Sequence, residues 1–219
     1  MGREIDLLVN YPKSIRDVSV RGLEKTENDR AIASCFGAEY FDGERRHGYG
    51  GFKYSPRFWQ PVVPTMQKHF ALLPNSSILD VGCAKGFMLH DLSKLIPGIT
   101  VRGIDISDYA IANAIDDMKQ NIQVGDAKCL PFADDSFDVV ISITTLHNLD
   151  RNGCVQALRE IERVSRGKSF ITVDAYRTTE EKSRMSDWNL TAKTVMHVDE
   201  WTAFFDEVGY TGDYFWFIP

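Results

Sequence analysis

Apolar positions along this chain follow two rhythms that alternate in blocks. From Arg57 onward Phe58, Val62, Val63, Met66, Phe70 and Leu73 recur at helical spacing despite Pro61 and Pro64, until Pro74-Asn75-Ser76 breaks the run. The pattern then predicts SSILDVG as strand, Phe87 to Leu95 as helix, TVRGID as strand, Ser107 to Met118 as a helix capped by Ser107, and IQVGDA as strand. Phe137 to Ile143 is almost continuously apolar, as a central parallel strand covered on both faces must be. Val155, Leu158, Ile161 and Val164 return to helical spacing before Gly167, and SFITVDAY predicts another buried strand. Residues 177–190 are charged and weakly periodic, so a mobile crossing segment is expected there. Thr202 to Val208 reads as a last helix and Asp213 to Ile218 as a last strand, with a further strand drawn from Leu190 to Met196 as one way to finish the sheet. The fold class is therefore α/β, a doubly wound, mostly parallel sheet with its ligand crevice at the C-terminal strand ends.

The texture differs ahead of the sheet. Residues 1–55 mix charged pairs, glycines and aromatics, with a helical stretch from Glu24 to Phe36, and are expected to form an N-terminal cap or lid on an α/β core of residues 56–219. A chain of 219 residues buries a sufficient core without metal or disulfide staples. Its 25 basic and 31 acidic residues leave a formal charge of −6, a field that does not favour a polyanion and argues against nucleic acid as a partner. Cys35, Cys83, Cys129 and Cys154 are too far apart in sequence for a zinc knuckle, no metal site is expected, and they read as reduced cysteines of a cytoplasmic protein. MGREIDLLVN lacks the apolar region of a signal peptide, and no run reaches the roughly 18 to 20 apolar residues of a membrane span. The oligomeric state is open.

The chemistry concentrates at DVGCAKG, residues 80–86, where the first strand turns into a helix. A phosphate-binding P-loop requires lysine after the glycine and then a hydroxyl, but Lys85 precedes Gly86 and neither Ser nor Thr follows. A dinucleotide loop requires a central glycine for close approach of pyrophosphate, and Ala84 stands there. What fits is a nucleoside without phosphates: a tight turn at Gly82, a small side chain at Ala84, and Gly86 for close packing of helix on strand. Asp105, 19 residues beyond Gly86, is placed to accept both hydroxyls of a ribose. Asp126 suits an exocyclic amine, the Ala127 amide a ring nitrogen, and Asp80 an ammonium, although Asp80 is equally suited to tying down the loop.

ILDVGCAKG, GIDIS, GDAKCLPF and DSFDVVISITTLHNL, in that order, resemble the successive motifs of class I S-adenosylmethionine-dependent methyltransferases over about residues 55–176. The sequence departs from the family pattern at Ala84, where a glycine is usual. The resemblance implies S-adenosylmethionine as cofactor, a seven-stranded sheet with an abbreviated or rearranged terminal hairpin, and cofactor contacts at Gly82, Cys83, Asp105, Ile106, Asp126, Ala127 and Thr144 to Leu146.

Beyond the motifs, His147 follows the central strand where an acceptor would meet the cofactor, and is either a general base or a loop anchor. Asn148 either orients a substrate or forms a turn, and Tyr176, ending the next strand, faces the crevice or packs under the charged segment. Arg45 to Tyr54, followed by Trp59, reads equally as a lid around the sulfonium and as a loop held on the core by its rings. The expected activity is in-line methyl transfer to a small-molecule acceptor. Other chemistry on the same cofactor, such as an internal displacement, and a non-catalytic protein keeping the fold are the alternatives.

Overall fold

The computed structural model describes residues 2–13, 18 and 25–219. After α1 (Glu27–Ser34), α2 (Ala38–Phe41), α3 (Pro56–Trp59) and α4 (Val63–Phe70) come β1 (Ser77–Val81), α5 (Phe87–Leu95), β2 (Thr100–Asp105), α6 (Asp108–Ala112) and β3 (Ile122–Val124). The chain continues through β4 (Val139–Ile143), α7 (Arg151–Val164), β5 (Ser169–Tyr176), α8 (Thr179–Trp188), β6 (Met196–His197), α9 (Val198–Val208) and β7 (Asp213–Phe217). The sheet order is β3-β2-β1-β4-β5-β6, and every pairing is parallel. β7 pairs with residues 170–174 of β5 and β6 with residues 175–176, so the two share one edge of that strand and no terminal hairpin forms. Glu4 bridges to Tyr214 and carries the N-terminal segment along β7.

The order reverses between β1 and β4, which opens a crevice beyond their C-terminal ends. Alternate residues of the central strands feed two cores. Leu79, Val81, Val140, Ile171 and Val173 face α7 and α9, where Phe205 stacks among Trp201, Tyr214 and Trp216. Ile78, Val139, Ile141 and Phe170 face α4 and α5.

Several boundaries differ from the sequence-based expectations, each for a local reason. The helix from Ser107 stops at Ala112, because the Asn113 side chain bonds Tyr109 O and Ile115 turns its amide to Lys85 O, leaving a separate 3₁₀ turn at Asp116–Met118. The third strand ends at Val124, and Asp126 instead bridges Cys129 in a turn. The apolar stretch 56–73 is two helices joined by a turn. The charged segment 177–190 is a helix, not a mobile crossing: Thr178 caps it, Met185 is buried, and Lys25 and Arg30 bind the carbonyls at its end. No strand runs from Leu190 to Met196, because Asn189 folds residues 189–192 into a turn and only Met196 and His197 reach β5. The last helix begins four residues early, capped by His197 with Glu200. Of the expected helix 24–36, Glu24 lies outside the described residues.

Candidate active site

The loop after β1 is built on left-handed turns. Gly82 (φ 89°) and Cys83 send their amides to Ile104 O at 2.8 and 3.0 Å, which stitches the loop to β2. A Cβ on Gly82 would lie 2.0 Å from Thr145 Oγ1, so only glycine lets the loops after β1 and β4 meet at the reversal point. Ala84 has φ 49°, a conformation that costs an L-residue about 1 kcal/mol or more, and thereby points its amide at Asp105 Oδ2, 2.7 Å away. Gly86 (φ 79°) caps α5.

Asp105, ending β2, is thus held on both oxygens: Oδ1 accepts the Ser107 amide at 2.9 Å. Its side chain is buried, and desolvation raises its pKa against the pull of those two amides. Asp80 is buried beside it. Desolvation first, and the Asp105 charge second, push it up to about 8. Burial and the same two acids raise the Cys83 thiol well above its ordinary range, which keeps it protonated and a poor nucleophile. Ile106 is exposed at the rim. Asp126 accepts its bonds from Lys128, and Ala127 is half-buried beside it.

On the other side of the reversal, Thr144 (φ 51°) anchors to Thr172 through both carbonyl and hydroxyl. His147 is buried, and its Nδ1 accepts the Asp174 amide at 2.9 Å. That bond places the ring proton on Nε2, and burial lowers the ring's pKa against the opposing pull of Asp174. The His147 carbonyl accepts amides from Lys193 and Thr194. Among the described residues, the buried Oδ1 of Asn148 has no partner, an acceptor open to a ligand donor. Tyr176 meets the His197 ring edge-on, with Lys182 over its face, so its contacts lie toward α8 and β6.

Sequence reasoning missed the contribution of Asp42, Lys85, Tyr109 and Tyr40. Lys85 of the glycine loop is buried and donates to Asp42 Oδ2 at 2.6 Å and to Phe52 O at 3.0 Å. Asp42 also accepts the Tyr109 hydroxyl and the Phe52 amide. Tyr40 packs edge-on against Phe36, Phe41 and Tyr49, and burial first, with smaller contributions from the Asp105 and Asp174 charges, raises the pKa of its hydroxyl. Phe41, Tyr49, Phe52, Phe87 and Tyr109 form a continuous aromatic row over the loop. Trp59 instead packs on Tyr11. The one legible signal was Lys85, a cation in a glycine loop with no phosphate to serve; its partner 43 residues upstream has no local signature. Among the described residues, no cluster of side chains suits a metal ion and no helix is long and apolar enough to cross a membrane.

A methyltransferase-domain model matches residues 72–209. Over 191 residues the chain is 31% identical to the tRNA (carboxymethyluridine(34)-5-O)-methyltransferase of Arabidopsis thaliana, which covers 86% of this chain and 44% of that protein. It is also 31% identical, over 138 residues, to the 2-methyl-6-phytyl-1,4-hydroquinone methyltransferase of Synechocystis sp., covering 60% of this chain and 42% of that one. The chain thus spans less than half the length of either relative. Among solved structures, YcgJ from Bacillus subtilis shares the fold, with a TM-score of 0.55 at 21% identity over 67% of this chain and 66% of its own.

Proposed function

The chain belongs to the methyltransferase-domain family, and from that premise we propose that it is an S-adenosylmethionine-dependent methyltransferase acting on a small-molecule acceptor. When bound, S-adenosylmethionine supplies a methyl carbon on a sulfonium, open to in-line displacement by a nucleophile. The observation that carries the reading is Asp105: a buried carboxylate, fixed by two amides, whose oxygens each keep a lone pair for a ribose hydroxyl. Asp80, buried without a hydrogen-bond donor among the described residues, suits the ammonium of the methionine end. Gly82, Cys83 and Ala84 line the turn between them, Gly86 sets the helix behind it, and Ile106, Asp126 and Ala127 form the side that takes the base. Thr144 closes the wall at β4.

The protein's part in the reaction is alignment and exclusion of water, which the aromatic row of residues 41–52 provides as a cover. His147, neutral and committed through Nδ1 to the Asp174 amide, holds the acceptor loop and presents an N–H rather than a base. Asn148 Oδ1 accepts from the acceptor. An acceptor that is not a polyanion suits a site with buried Asp80, Asp105 and Asp174 in a chain of net charge −6, and the free cysteines suit a reducing, cytoplasmic setting. A tRNA acceptor is the second reading, favoured by the Arabidopsis relative that matches 86% of the chain.

Calorimetry with S-adenosylhomocysteine tests the cofactor, with Asp105→Ala expected to weaken binding at least tenfold. An unaltered affinity would sink the assignment. Methyl transfer from labelled cofactor into bulk tRNA, set against transfer into a small-molecule extract, separates the two acceptor classes. Release of 5′-methylthioadenosine with neither present would favour internal displacement within the cofactor.

A further inference from the structure

Both donors that hold Asp105 belong to residues whose neighbourhood is gripped from the N-terminal segment. The first donor is the Ala84 amide. Its neighbour Lys85 is drawn away from the crevice by Asp42 and the Phe52 carbonyl. The second donor is the Ser107 amide. The Ser107 hydroxyl in turn donates to Phe36 O at 2.5 Å. Asp42 has its own supports in the Tyr109 hydroxyl at 2.7 Å and the Phe52 amide at 2.9 Å. Although burial pushes its pKa up, those donors and Lys85 hold it below the ordinary carboxylate value, so Asp42 is ionised across the working range. The Lys85 side chain is only 8% exposed, and a buried ammonium bonded to a single carboxylate does not leave that partner without loss.

Ala84 makes the connection consequential. Its left-handed φ is unfavourable for an L-residue, so the turn that aims its amide at Asp105 needs outside support. The adjacent Lys85 supplies that support only while its ammonium is tied down. Resting on the cofactor reading above, we propose that Asp42 is a positioning residue of the cofactor site: acting through Lys85, it holds the glycine loop so that Asp105 is pre-set to receive the ribose. Residues 36–52 thereby act as part of the binding site, besides covering it.

The test is a thermodynamic cycle on S-adenosylhomocysteine affinity, measured by calorimetry on the full chain. Asp42→Asn and Lys85→Met are each expected to weaken binding about tenfold, and the double variant no more than either alone, because both remove one link. Asp42→Glu should recover most of the affinity, which a role limited to general stability does not predict. An affinity for Asp42→Asn within twofold of the wild type, or losses that add in the double variant, overturns the proposal. Should Asp42→Asn fail to fold, Tyr109→Phe removes one support of Asp42 and is expected to weaken binding two- to threefold; no change there overturns it equally. A wild-type protein that does not bind S-adenosylhomocysteine removes the cofactor reading and this proposal together, whereas normal wild-type binding with an indifferent Asp42 removes this proposal alone.

Discussion

Replacing Asp80 by asparagine should make the stability of the free protein less sensitive to a rise in pH from 5 to 8. The Asp80 carboxyl is 4% exposed, and burial together with the neighbouring Asp105 charge pushes it up to about 8, against an ordinary value of 3.8. Between those two values the folded protein holds a proton that the unfolded chain releases. Stability therefore falls as pH rises through that window, and the loss levels off above about pH 8. Each pH unit costs about 1.4 kcal/mol at full effect, so three units, from pH 5 to pH 8, set a ceiling of about 4 kcal/mol. Partial solvation of the site brings the expectation to about 2 to 4 kcal/mol. Asp80→Asn carries no such proton. Its stability relative to wild type, from urea denaturation at each pH, should improve by that amount between pH 5 and pH 8, whatever the fixed offset from its buried amide. A difference that stays within 1 kcal/mol across the range would refute the reasoning. Saturating S-adenosylhomocysteine should flatten the wild-type slope, since an ammonium beside Asp80 favours the charged form in the folded state too.

Other substitutions probe the same loop. Ala84→Gly relieves the left-handed backbone but loosens the unfolded chain, for a net gain of about 0.5 kcal/mol by thermal denaturation; a loss above 1 kcal/mol would contradict the strain. Gly82→Ala puts a methyl against Thr145 at φ 89° and should cost about 3 kcal/mol in urea titration, with S-adenosylhomocysteine affinity reduced at least tenfold. His147→Asn should lose stability while keeping turnover within tenfold, if the ring serves by accepting the Asp174 amide as proposed. A hundredfold fall in kcat at unchanged cofactor affinity would reinstate general-base catalysis.

The stretches readable from sequence share a property. β1, α5, β2 and β5 lie where an apolar run ends on hard punctuation, such as Pro74-Asn75, Gly82, Gly98 or Gly167, so local chemistry decides both the period and the boundary. α8 has no such signature: of its ten residues only Met185 is buried, and its stability comes from the Thr178 cap and from Lys25 and Arg30, more than 150 residues away. The break in the expected helix after Ala112 is likewise tertiary, since Ile115 is diverted to Lys85 O. At the candidate site, the positions of Asp80, Asp105 and the glycines were legible because their strand ends were. Asp42 and Tyr40 were not, since a carboxylate and a phenol in an irregular segment acquire meaning only from what they face after folding.

What they face explains an electrostatic oddity of the crevice. Asp80, Asp105 and Asp174 are all buried, and burial raises all three pKa values, so the free protein gathers acids where each disfavours its own charge. A nearby ammonium would ordinarily neutralise such a group. Lys85 is five residues from Asp80, in the same loop, yet its ammonium is directed outward to Asp42 and Phe52. Among the described residues, no lysine or arginine pairs with Asp80 or Asp105. On the proposed cofactor reading, a ligand bearing positive charge at the methionine end would favour the ionised form of these acids. On the proposed reading Asp42 acts twice: it supports the turn that presents Ala84 to Asp105, and it holds the Lys85 ammonium away from the place a charged cofactor would take. Freed by Asp42→Asn, Lys85 would compete for those acids. The free variant should therefore lose part of the wild-type stability decline between pH 5 and pH 8 even as it binds S-adenosylhomocysteine more weakly. A variant that weakens binding while keeping the full decline would separate the two roles.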